Sequence, residues 1–457
     1  MIIGGGPGGY AAALYGASAG LRIALVEKAK VGGTCLHVGC IPAKELLETA
    51  AVRRHVASAK EFGISVSEPT VDFSVTQDRK QRVVDQLFNG LSSLLKSRKV
   101  TVVPGVGALR ADGTVTVAGE SGSTELTGGH VILAAGSAPR TLPGFEVDGK
   151  LVVTSDELLS LRELPGSAAV IGGGAIGCEF ASMMADLGVQ VTILEALPKI
   201  LPGCDADAAN MVVRSFKRRG IDIKTGVQVA GHTPNGRGTV VRYGDGQELA
   251  VDLVVMSVGR RPFADQLGLA EAGVELDERG YVKVDPWCRT NRDKVFAVGD
   301  LVATPQLAHV GFAEGMLVIQ EILGEDPTPV DYEKIPWAIY CHPEVAFAGL
   351  SEEAAKAAGY DVVTAKHRHL GNGRALIIGE TEGLVKVIAE KRPDGGAGRV
   401  LGVHMVGPWA TEQLGQGYLA VNWEATVDEV AHFIQPHPTL SELFGETMLS
   451  LTGRSLH

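Results

Sequence analysis

The sequence predicts an α/β protein with two Rossmann-like dinucleotide-binding domains and a C-terminal α+β domain. Three observations support this fold class: two glycine-rich loops of the same spacing, an acid at an equal distance behind each loop, and a change of pattern near residue 332. A chain of 457 residues is long enough for two to four domains. Its 59 glycines and 5% aromatic residues also favour a fold with many tight turns.

The first loop, IIGGGPGG, places Gly4, Gly6 and Gly9 in a G-x-G-x-x-G arrangement between an apolar strand and an alanine-rich helix. Glu27 ends the next strand, 23 residues after Gly4. Such glycines let backbone amides approach a pyrophosphate at a helix N-terminus, and the acid accepts hydrogen bonds from a ribose. Only three residues precede Gly4, so either upstream residues are missing or the first strand is clipped.

The second loop, VIGGGAIG, repeats the arrangement with Gly172, Gly174 and Gly177. Glu195 again follows the first glycine by 23 residues. One such motif is a weak signal, because glycine turns are common. Two copies with the same strand, helix and acid spacing predict two dinucleotide-binding units. The alternative is that both acids are solvated ends of strands.

Both copies continue with an apolar strand that runs into a glycine and then a proline, at Gly136 and at Gly259. The first copy carries 45 more residues before this strand, and a pair of cysteines lies inside that interval. A further buried-strand pattern, KVFAVGDLV, ends at Asp300. In a doubly wound sheet such an acid faces the ligand crevice, and a turn aspartate is the alternative.

The segment VGGTCLHVGCIPAK separates Cys35 from Cys40 by five positions. On one regular helix they would lie about 140° apart around the axis, which is too distant for a bridge. A disulfide therefore requires Cys35 in the glycine-rich turn and Cys40 near a helix start, in agreement with Pro42 in a first helical turn. A helix N-terminus also stabilises a thiolate, which suits redox chemistry. Two inert buried cysteines are the alternative, and zinc would need a second pair of ligands.

From about residue 332, shorter alternating runs predict an antiparallel sheet, and helical patterns follow around 410–431 and 440–451. Within QPHPTLSELFGE, Thr439 and Glu442 fit a capping box at a helix start, with His437 as a surface residue. The alternative is an acid–base pair, in which Glu442 orients His437 and favours its protonated form. The residues alone favour the cap.

The GGTCLHVGCIPAK segment, both nucleotide loops, AVGD, LAHVGFAEG and HPTLSE resemble the pyridine nucleotide–disulfide oxidoreductases, in particular the dihydrolipoamide dehydrogenases, over essentially the whole chain. The resemblance implies a flavoprotein that binds FAD and NAD. It implies an FAD-binding domain at 1–145 with a return segment at 271–331, an NAD-binding domain at 146–270 and a dimerisation domain at 332–457.

The resemblance also implies roles for individual residues. Cys35 would exchange with substrate and Cys40 would lie against the flavin, while Lys44 and Glu179 would form an ion pair near the reactive nitrogen of the flavin. The expected FAD-binding residues are Gly4, Gly6, Gly9, Glu27, Lys44, Gly136, Asp300 and Ala308. The expected NAD-binding residues are Gly172, Gly174, Gly177, Glu195 and Gly259.

For His437 the resemblance reverses the preference, because the base of the family is the histidine of a matching HPT segment. That histidine reaches the cysteine pair of the other subunit, which implies a homodimer with a shared active site and Glu442 as the partner of the histidine. Many relatives carry a further histidine two residues earlier, where this chain has Gln435.

The resemblance implies oxidation of dihydrolipoyl groups of 2-oxoacid dehydrogenase or glycine cleavage complexes, with lipoyl domains and an acyltransferase core as partners. Glu195 favours NAD, because its carboxylate would repel a 2′-phosphate and no arginine follows closely. The alternatives are an NAD(P)H-dependent reductase of another low-molecular-weight disulfide, and a mainly structural or redox-sensing component of a complex.

Composition argues against other function classes. A net charge of −11 without a basic block makes nucleic acid and anionic membranes poor partners, and no apolar run is long enough to cross a bilayer. No secretory signal opens the chain, which with scattered cysteines favours a cytoplasmic enzyme of cell redox homeostasis without a metal. The scattered cysteines are Cys178, Cys204, Cys288 and Cys341.

Overall fold

The structure is a computed structural model that describes residues 1–120 and 122–456. Within these residues lie three five-stranded sheets: a first and a second nucleotide sheet, both parallel, and an antiparallel C-terminal sheet. The predicted fold class is confirmed, since two parallel sheets with flanking helices precede an α+β unit. No helix among the described residues is long and apolar enough to cross a membrane.

The first nucleotide sheet has the short strand before the first glycine loop at its centre. Ile2 pairs with Leu25 on one side and with Ile132 on the other, so even a two-residue strand is held on both edges. The strands Ile2–Ile3, Val131–Leu133 and Val295–Ala297 are buried on both faces, as parallel strands generally are, whereas the edge strand Thr101–Pro104 is largely exposed. In spatial order its strands are Val295–Ala297, Val131–Leu133, Ile2–Ile3, Ala24–Glu27 and Thr101–Pro104.

Helices cover one face of this sheet, and antiparallel strands of the same unit cover the other face. Pro7–Ser18 packs so closely against the later helix Ala308–Leu323 that a Cβ at Gly315 would lie 2.5 Å from the Gly8 carbonyl. The other helices of this region are Gly33–Val38, Cys40–Ser58, Ala59–Phe62 (3₁₀) and Phe73–Ser97, and Gly299–Leu301 forms a later 3₁₀ turn.

The second nucleotide sheet repeats the strand order of the first, which confirms the duplication. Its outermost strand differs in origin, because it precedes the second glycine loop, whereas the corresponding strand of the first sheet follows both units. In spatial order the strands are Val152–Val153, Leu253–Met256, Ser167–Ile171, Gln190–Glu195 and Asp222–Thr225. The helices of this region are Ser155–Leu158, Ala175–Asp186 and Ala206–Arg218, whereas the later short helix Leu269–Ala272 packs against the first unit.

Each nucleotide unit also contains a three-stranded antiparallel sheet at the same place in its chain order. A two-stranded ribbon joins the units, and Ser137–Pro139 of the first pairs antiparallel with Arg260–Pro262 of the second. The sequence analysis did not predict this ribbon. The antiparallel strands are Val106–Leu109, Val115–Gly119 and Gly122–Leu126 in the first unit, and Val229–Asn235, Gly238–Tyr243 and Gln247–Val251 in the second.

The C-terminal sheet is antiparallel, as the alternating runs predicted. In spatial order its strands are Pro336–Ile339, Glu344–Gly349, Ala397–Gly407, Leu384–Lys391 and Val362–Arg368. Its helices include those predicted after residue 410, and they are Glu352–Ala357, His369–Gly371 (3₁₀), Gly373–Ile378, Ala410–Gln413, Gly415–Asn422, Val427–Ala431 and Glu442–Leu451.

A buried lysine joins the C-terminal sheet to the second nucleotide unit. Lys386, 3% exposed, donates hydrogen bonds to Asp205 Oδ1 at 3.0 Å, Asp207 Oδ2 at 2.9 Å and Glu352 Oε2 at 2.7 Å. Asp205 caps the Ala206–Arg218 helix by accepting from the Asp207 N–H. The lysine therefore connects a helix start to two elements of the C-terminal unit.

A second polar junction joins the helix behind the cysteines to the other units. Asp186 accepts from both Arg54 and Arg219, and Arg219 also donates to the carbonyl of His342. Burial, together with Arg54 and Arg219, lowers the pKa of His342 to about 2. His342 therefore stays neutral and serves as part of the junction.

Candidate redox and dinucleotide-binding site

The two cysteines form a disulfide where a short helix meets a long one. Cys35 lies in the helix Gly33–Val38, and Cys40 is the first residue of the helix Cys40–Ser58, hereafter the redox helix. Gly39 breaks the chain direction between them with φ −146° and ψ −115°, which brings the two Cα atoms to 4.6 Å. The predicted position of Cys40 is confirmed, whereas the prediction that Cys35 lies in a turn is wrong.

The redox helix presents a lysine one turn after the second cysteine. Positions four apart share a helix face, so Lys44 lies on the same side as Cys40. Its Nζ donates to both carboxylate oxygens of Glu179, at 3.0 and 2.9 Å, and lies 4.8 Å from the ring centre of Tyr340. The Tyr340 N–H donates to Glu179 Oε1 at 2.9 Å. The pair expected from the resemblance is thus present, and Tyr340, which sequence reasoning missed, contacts both of its members.

The first glycine loop is packed against itself and against the end of a neighbouring strand, but it is open at Gly6. Gly4 has φ +107°, and a Cβ there would overlap the Ala134 carbonyl, while a Cβ at Gly9 would overlap the Gly4 carbonyl. At Gly6 the nearest atom to such a Cβ lies 3.9 Å away, and no described side chain caps the helix that begins after it. Free amides at an open helix start fit a pyrophosphate. Gly172, Gly177 and Gly174 repeat these three conditions in the second loop.

The acids behind the two loops make matching hydrogen bonds. Glu27 Oε2 accepts from the N–H of Gly5 at 2.7 Å, and Glu195 Oε2 accepts from the N–H of Gly173 at 2.5 Å. In each, the other oxygen accepts from the N–H two residues further on, at 2.8 and 2.7 Å. Both carboxylates therefore lie beside the loops, where the ribose of a dinucleotide would be expected, and are not merely solvated strand ends.

Asp300 lies at the carboxyl edge of the first nucleotide sheet and is tied to the second unit. The Ser137 hydroxyl donates to Asp300 Oδ2 at 2.5 Å, and Arg260 Nε donates to the Ser137 hydroxyl at 2.7 Å. Gly136 directly precedes Ser137 and has φ +75°, and Gly259 directly precedes Arg260 and has φ +94°. A Cβ built at either glycine would meet no other atom within 4 Å. The ribbon between the units thus places Arg260 of the second unit close to Asp300, the predicted flavin-binding acid of the first unit.

A buried glutamate supports the turn that carries Asp300. Ala308 begins the helix Ala308–Leu323, and Glu314 within this helix is fully buried. Glu314 accepts from the Gly299 N–H at 2.6 Å and from the Tyr332 hydroxyl at 2.9 Å, and burial raises the pKa of Glu314. The sequence analysis did not identify Glu314, because no local sequence pattern reports its contact with Gly299, the residue before Asp300.

A cavity of about 460 Å³ opens beside the second glycine loop. Its walls include Gly174 and Gly259 from the second unit, Gln306 from the first and Trp337 from the C-terminal sheet. The Gln306 Nε2 is buried and has no hydrogen-bond partner among the described residues. An apolar cavity with an unpaired donor is typical of a small-molecule site. The cavity therefore offers space for part of a ligand bound at the second loop.

The histidine of the C-terminal segment is oriented by the predicted acid. His437 Nδ1 donates to Glu442 Oε2 at 3.0 Å, which leaves its Nε2 free to face a substrate. The helix begins at Glu442, whose N–H donates to Thr439 Oγ1 at 3.3 Å. Half of the predicted capping box is thus present, but the Glu442 carboxylate binds His437 instead of closing the box. Glu442 therefore takes part in both arrangements, with its N–H in the helix cap and its carboxylate in the pair with His437.

The histidine and the cysteines do not meet within one chain. Across residues 1–120 and 122–456, no hydrogen bond, ion pair or ring contact joins His437 to the cysteine segment. The His437 side chain is 78% exposed. A complete dithiol site would therefore need a second subunit.

Comparison with known proteins identifies the family. Residues 1–315 match the pyridine nucleotide-disulphide oxidoreductase family, and residues 335–448 match its dimerisation domain. The chain belongs to the pyridine nucleotide-disulphide oxidoreductase family. The resemblance noted from the motifs is confirmed, and the match to the dimerisation domain indicates a homodimer.

Several members of this family match the chain over its full length. A dihydrolipoyl dehydrogenase from Bacillus subtilis is 40% identical, covering 100% of this chain and 98% of its own. One from Geobacillus stearothermophilus is 36% identical, covering 100% and 97%. The crystal structure of LpdA from Mycobacterium tuberculosis superposes with a TM-score of 0.93 at 28% identity, covering 98% of this chain and 99% of that one. The flavoprotein disulfide reductase RclA from Escherichia coli superposes with a TM-score of 0.87 at 28% identity, covering 99% and 98%.

Proposed function

We propose that this protein oxidises dihydrolipoyl groups and passes their electrons through the Cys35–Cys40 disulfide and FAD to NAD. The observation that carries the proposal is a disulfide at the start of the redox helix, one turn before a lysine held by a buried carboxylate. Full-length relatives named dihydrolipoyl dehydrogenase support the choice of substrate.

The reaction at the cysteines is a thiol–disulfide exchange. A substrate thiolate attacks Cys35 Sγ, the Cys35–Cys40 bond breaks, and Cys40 leaves as a thiolate. The second substrate thiol then attacks the mixed disulfide, which releases a cyclic substrate disulfide and leaves two electrons on the cysteine pair. The start of the redox helix and Lys44 both favour the Cys40 thiolate. Bound FAD supplies the hydride chemistry that connects this dithiol to NAD.

His437 handles the protons of the exchange. In the proposed homodimer the histidine of one subunit takes the proton of the attacking thiol beside the cysteine pair of its partner. Glu442 holds Nδ1–H and stabilises the imidazolium that forms. The high exposure of His437 in the single chain supports this arrangement, because the side chain is free to enter a neighbouring subunit.

We also propose which residues hold the two dinucleotides. The open helix starts, the unpaired Gln306 amide and the loop-bound carboxylates support dinucleotide sites at both loops. The FAD set is Gly4, Gly6, Gly9, Glu27, Lys44, Gly136, Asp300 and Ala308, within 1–145 and 271–331. The NAD set is Gly172, Gly174, Gly177, Glu195 and Gly259, within 146–270, and 332–457 forms the dimerisation domain.

The remaining assignments concern partners and location. Lipoyl domains and the acyltransferase core of a 2-oxoacid dehydrogenase complex are the proposed partners, and the names of the relatives support a dihydrolipoyl group as the substrate. A cytoplasmic location is proposed because four buried cysteines stay as thiols, which is usual in a reducing compartment.

Steady-state turnover of the purified protein tests the proposal. Dihydrolipoamide with NAD should give rapid NADH production, and NADP should give little. The same protein is assayed with NADH or NADPH against low-molecular-weight disulfides. Activity with NADPH and another disulfide, without dihydrolipoamide turnover, would keep the redox pair but overturn both the substrate and the role of Glu195.

A further inference from the structure

Asn372 lies behind the histidine–glutamate pair and has no role in the proposed mechanism. It is 4% exposed and directly precedes the helix Gly373–Ile378. Its Nδ2 donates to Glu442 Oε1 at 3.1 Å and to the Thr439 carbonyl at 3.0 Å. Its Oδ1 accepts from the Ala375 N–H at 2.9 Å. Every hydrogen-bonding group of this side-chain amide therefore has a use, apart from the second lone pair of the oxygen.

The orientation of the amide follows from its neighbours. A carbonyl and a carboxylate can only accept hydrogen bonds, so the nitrogen must face Thr439 and Glu442. The backbone N–H of Ala375 can only donate, so the oxygen must face the helix. The opposite orientation would bring three oxygens together and leave two N–H groups against another N–H.

The two oxygens of Glu442 are divided between two partners. Oε2 accepts from His437 and Oε1 accepts from Asn372. His437 is largely exposed, and among the described residues Glu442 is its hydrogen-bonding partner. The direction of His437 Nε2 thus depends on the plane of the Glu442 carboxylate, and Asn372 holds that plane through a partly buried hydrogen bond.

We propose that Asn372 is a positioning residue of the acid–base pair, fixing Glu442 so that the carboxylate presents Oε2 to His437. The proposal rests on the proposed function, in which His437 accepts the proton of the substrate thiol. It extends the pair to a chain of three side chains, Asn372, Glu442 and His437, drawn from two different helical segments. Asn372 touches no substrate and acts only through Glu442.

Other titratable groups lie on the elements that carry or precede these residues. The C-terminal helix carries Glu446 one turn after Glu442, and the Gly373–Ile378 helix carries Arg374. His369 lies in the 3₁₀ turn before Asn372, where burial lowers the pKa of His369 to about 4 and keeps it neutral in the working range. All three remain in the variants below, so their contributions cancel in the comparison.

A helix cap is the competing role for Asn372, since the same side chain accepts from Ala375. Two variants separate the roles. Asn372→Ser retains a good capping hydroxyl but is too short to reach Glu442, and Asn372→Ala removes both functions. Ser351→Ala is the matched control, because Ser351 caps the helix Glu352–Ala357 of the same C-terminal unit by accepting from the Ala354 N–H at 3.1 Å.

The experiment measures the pH–rate profile of dihydrolipoamide oxidation for the dimeric holoenzyme and the three variants. Both substitutions of Asn372 should lower kcat by roughly 10–100-fold with little change in KM, because the histidine is misplaced but substrate contacts remain. Both should also move the acidic limb of the profile, because the carboxylate that faces His437 loses a hydrogen bond and its fixed orientation. Ser351→Ala should leave the limb where it is.

Flavin content and NADH oxidation by an artificial electron acceptor, which bypasses the dithiol, serve as controls for folding and should be unchanged in all variants. An Asn372→Ser enzyme with the wild-type rate and limb would overturn the proposal and leave the residue as a cap. A limb that shifts equally in Ser351→Ala would overturn it as well. If wild type turns over another disulfide instead of dihydrolipoamide, the proposed substrate fails, and the same profiles with that disulfide still decide the role of Asn372.

Discussion

Replacing Lys386 by methionine should destabilise the protein by about 3 kcal/mol or more, because breaking a buried ion pair costs roughly 3–5 kcal/mol. The lysine side chain is 4% exposed and its partner Asp205 is 2% exposed. Asp207 and Glu352 are about one-third exposed and retain water, so the cost falls mainly on Asp205. Asp205 keeps hydrogen bonds from the N–H groups of Asp207 and Glu352, which places the value near the lower end.

The assay is urea unfolding followed by circular dichroism, with Lys366→Met as the matched control. Lys366 donates to the same Asp207, at 2.8 Å, but is 51% exposed, and exposed ion pairs contribute less than about 1 kcal/mol. Asp205→Asn in the Lys386→Met background should restore part of the stability, since it removes the unpaired charge but keeps a capping oxygen. A Lys386→Met protein within 1 kcal/mol of wild type, or a Lys366→Met protein just as unstable, would refute the reasoning.

The pH dependence of this difference has a defined sign. Burial alone would lower the pKa of Lys386, but its hydrogen bonds to Glu352, Asp207 and Asp205 raise it above the ordinary value. Burial alone would raise the pKa of Asp207, but hydrogen bonds from Lys366 and Lys386 lower it below its ordinary value. The stability of the cluster is therefore present between the ordinary carboxyl and lysine pKa values, roughly 4 to 10. It should fade as pH falls through the lowered Asp207 pKa or rises through the raised Lys386 pKa.

Three further predictions concern the redox and cofactor sites. Cys35→Ser should abolish dihydrolipoamide oxidation while the flavin absorbance is retained, and a normal rate would exclude the dithiol mechanism. Glu195→Gln should raise kcat/KM for NADP and lower it for NAD, because the charge that repels a 2′-phosphate is gone; an unchanged coenzyme ratio would contradict the role of that charge. Arg260→Met should weaken flavin retention on dilution, measured by flavin fluorescence, because Asp300 loses its link across the ribbon. Arg261→Met, at the next position but exposed and paired with Asp265, is the control and should retain flavin.

Residues whose roles depend on nearby backbone were predictable from sequence. The glycine loops and the acids behind them follow from spacing alone, because a turn, a helix start and a strand end are set by neighbouring residues. Glu27 and Glu195 indeed lie against their own loops. The position of Cys40 was also predictable, since Pro42 marks a first helical turn.

Contacts between distant segments were not predictable in this way. Tyr340 reaches Glu179 across 161 positions, and Asn372 reaches Glu442 across 70. No periodicity or spacing reports such pairs, because tertiary packing alone brings them together. The prediction for Cys35 was wrong for a local reason. Gly39 interrupts the helical backbone between the two cysteines, so Cys35 lies in a short helix of its own where a turn was expected.

The two loop-bound carboxylates have a consequence for the kinetics of ligand capture. Each ties its glycine loop to the following strand through the Gly5 and Gly173 N–H groups, in hydrogen bonds between protein atoms. A carboxylate oxygen has a second lone pair, so a ribose hydroxyl can join these bonds instead of displacing them. Little conformational entropy is then lost on binding, and association need not wait for the loop to rearrange. Amide hydrogen exchange in both loops should therefore be slow before either dinucleotide arrives.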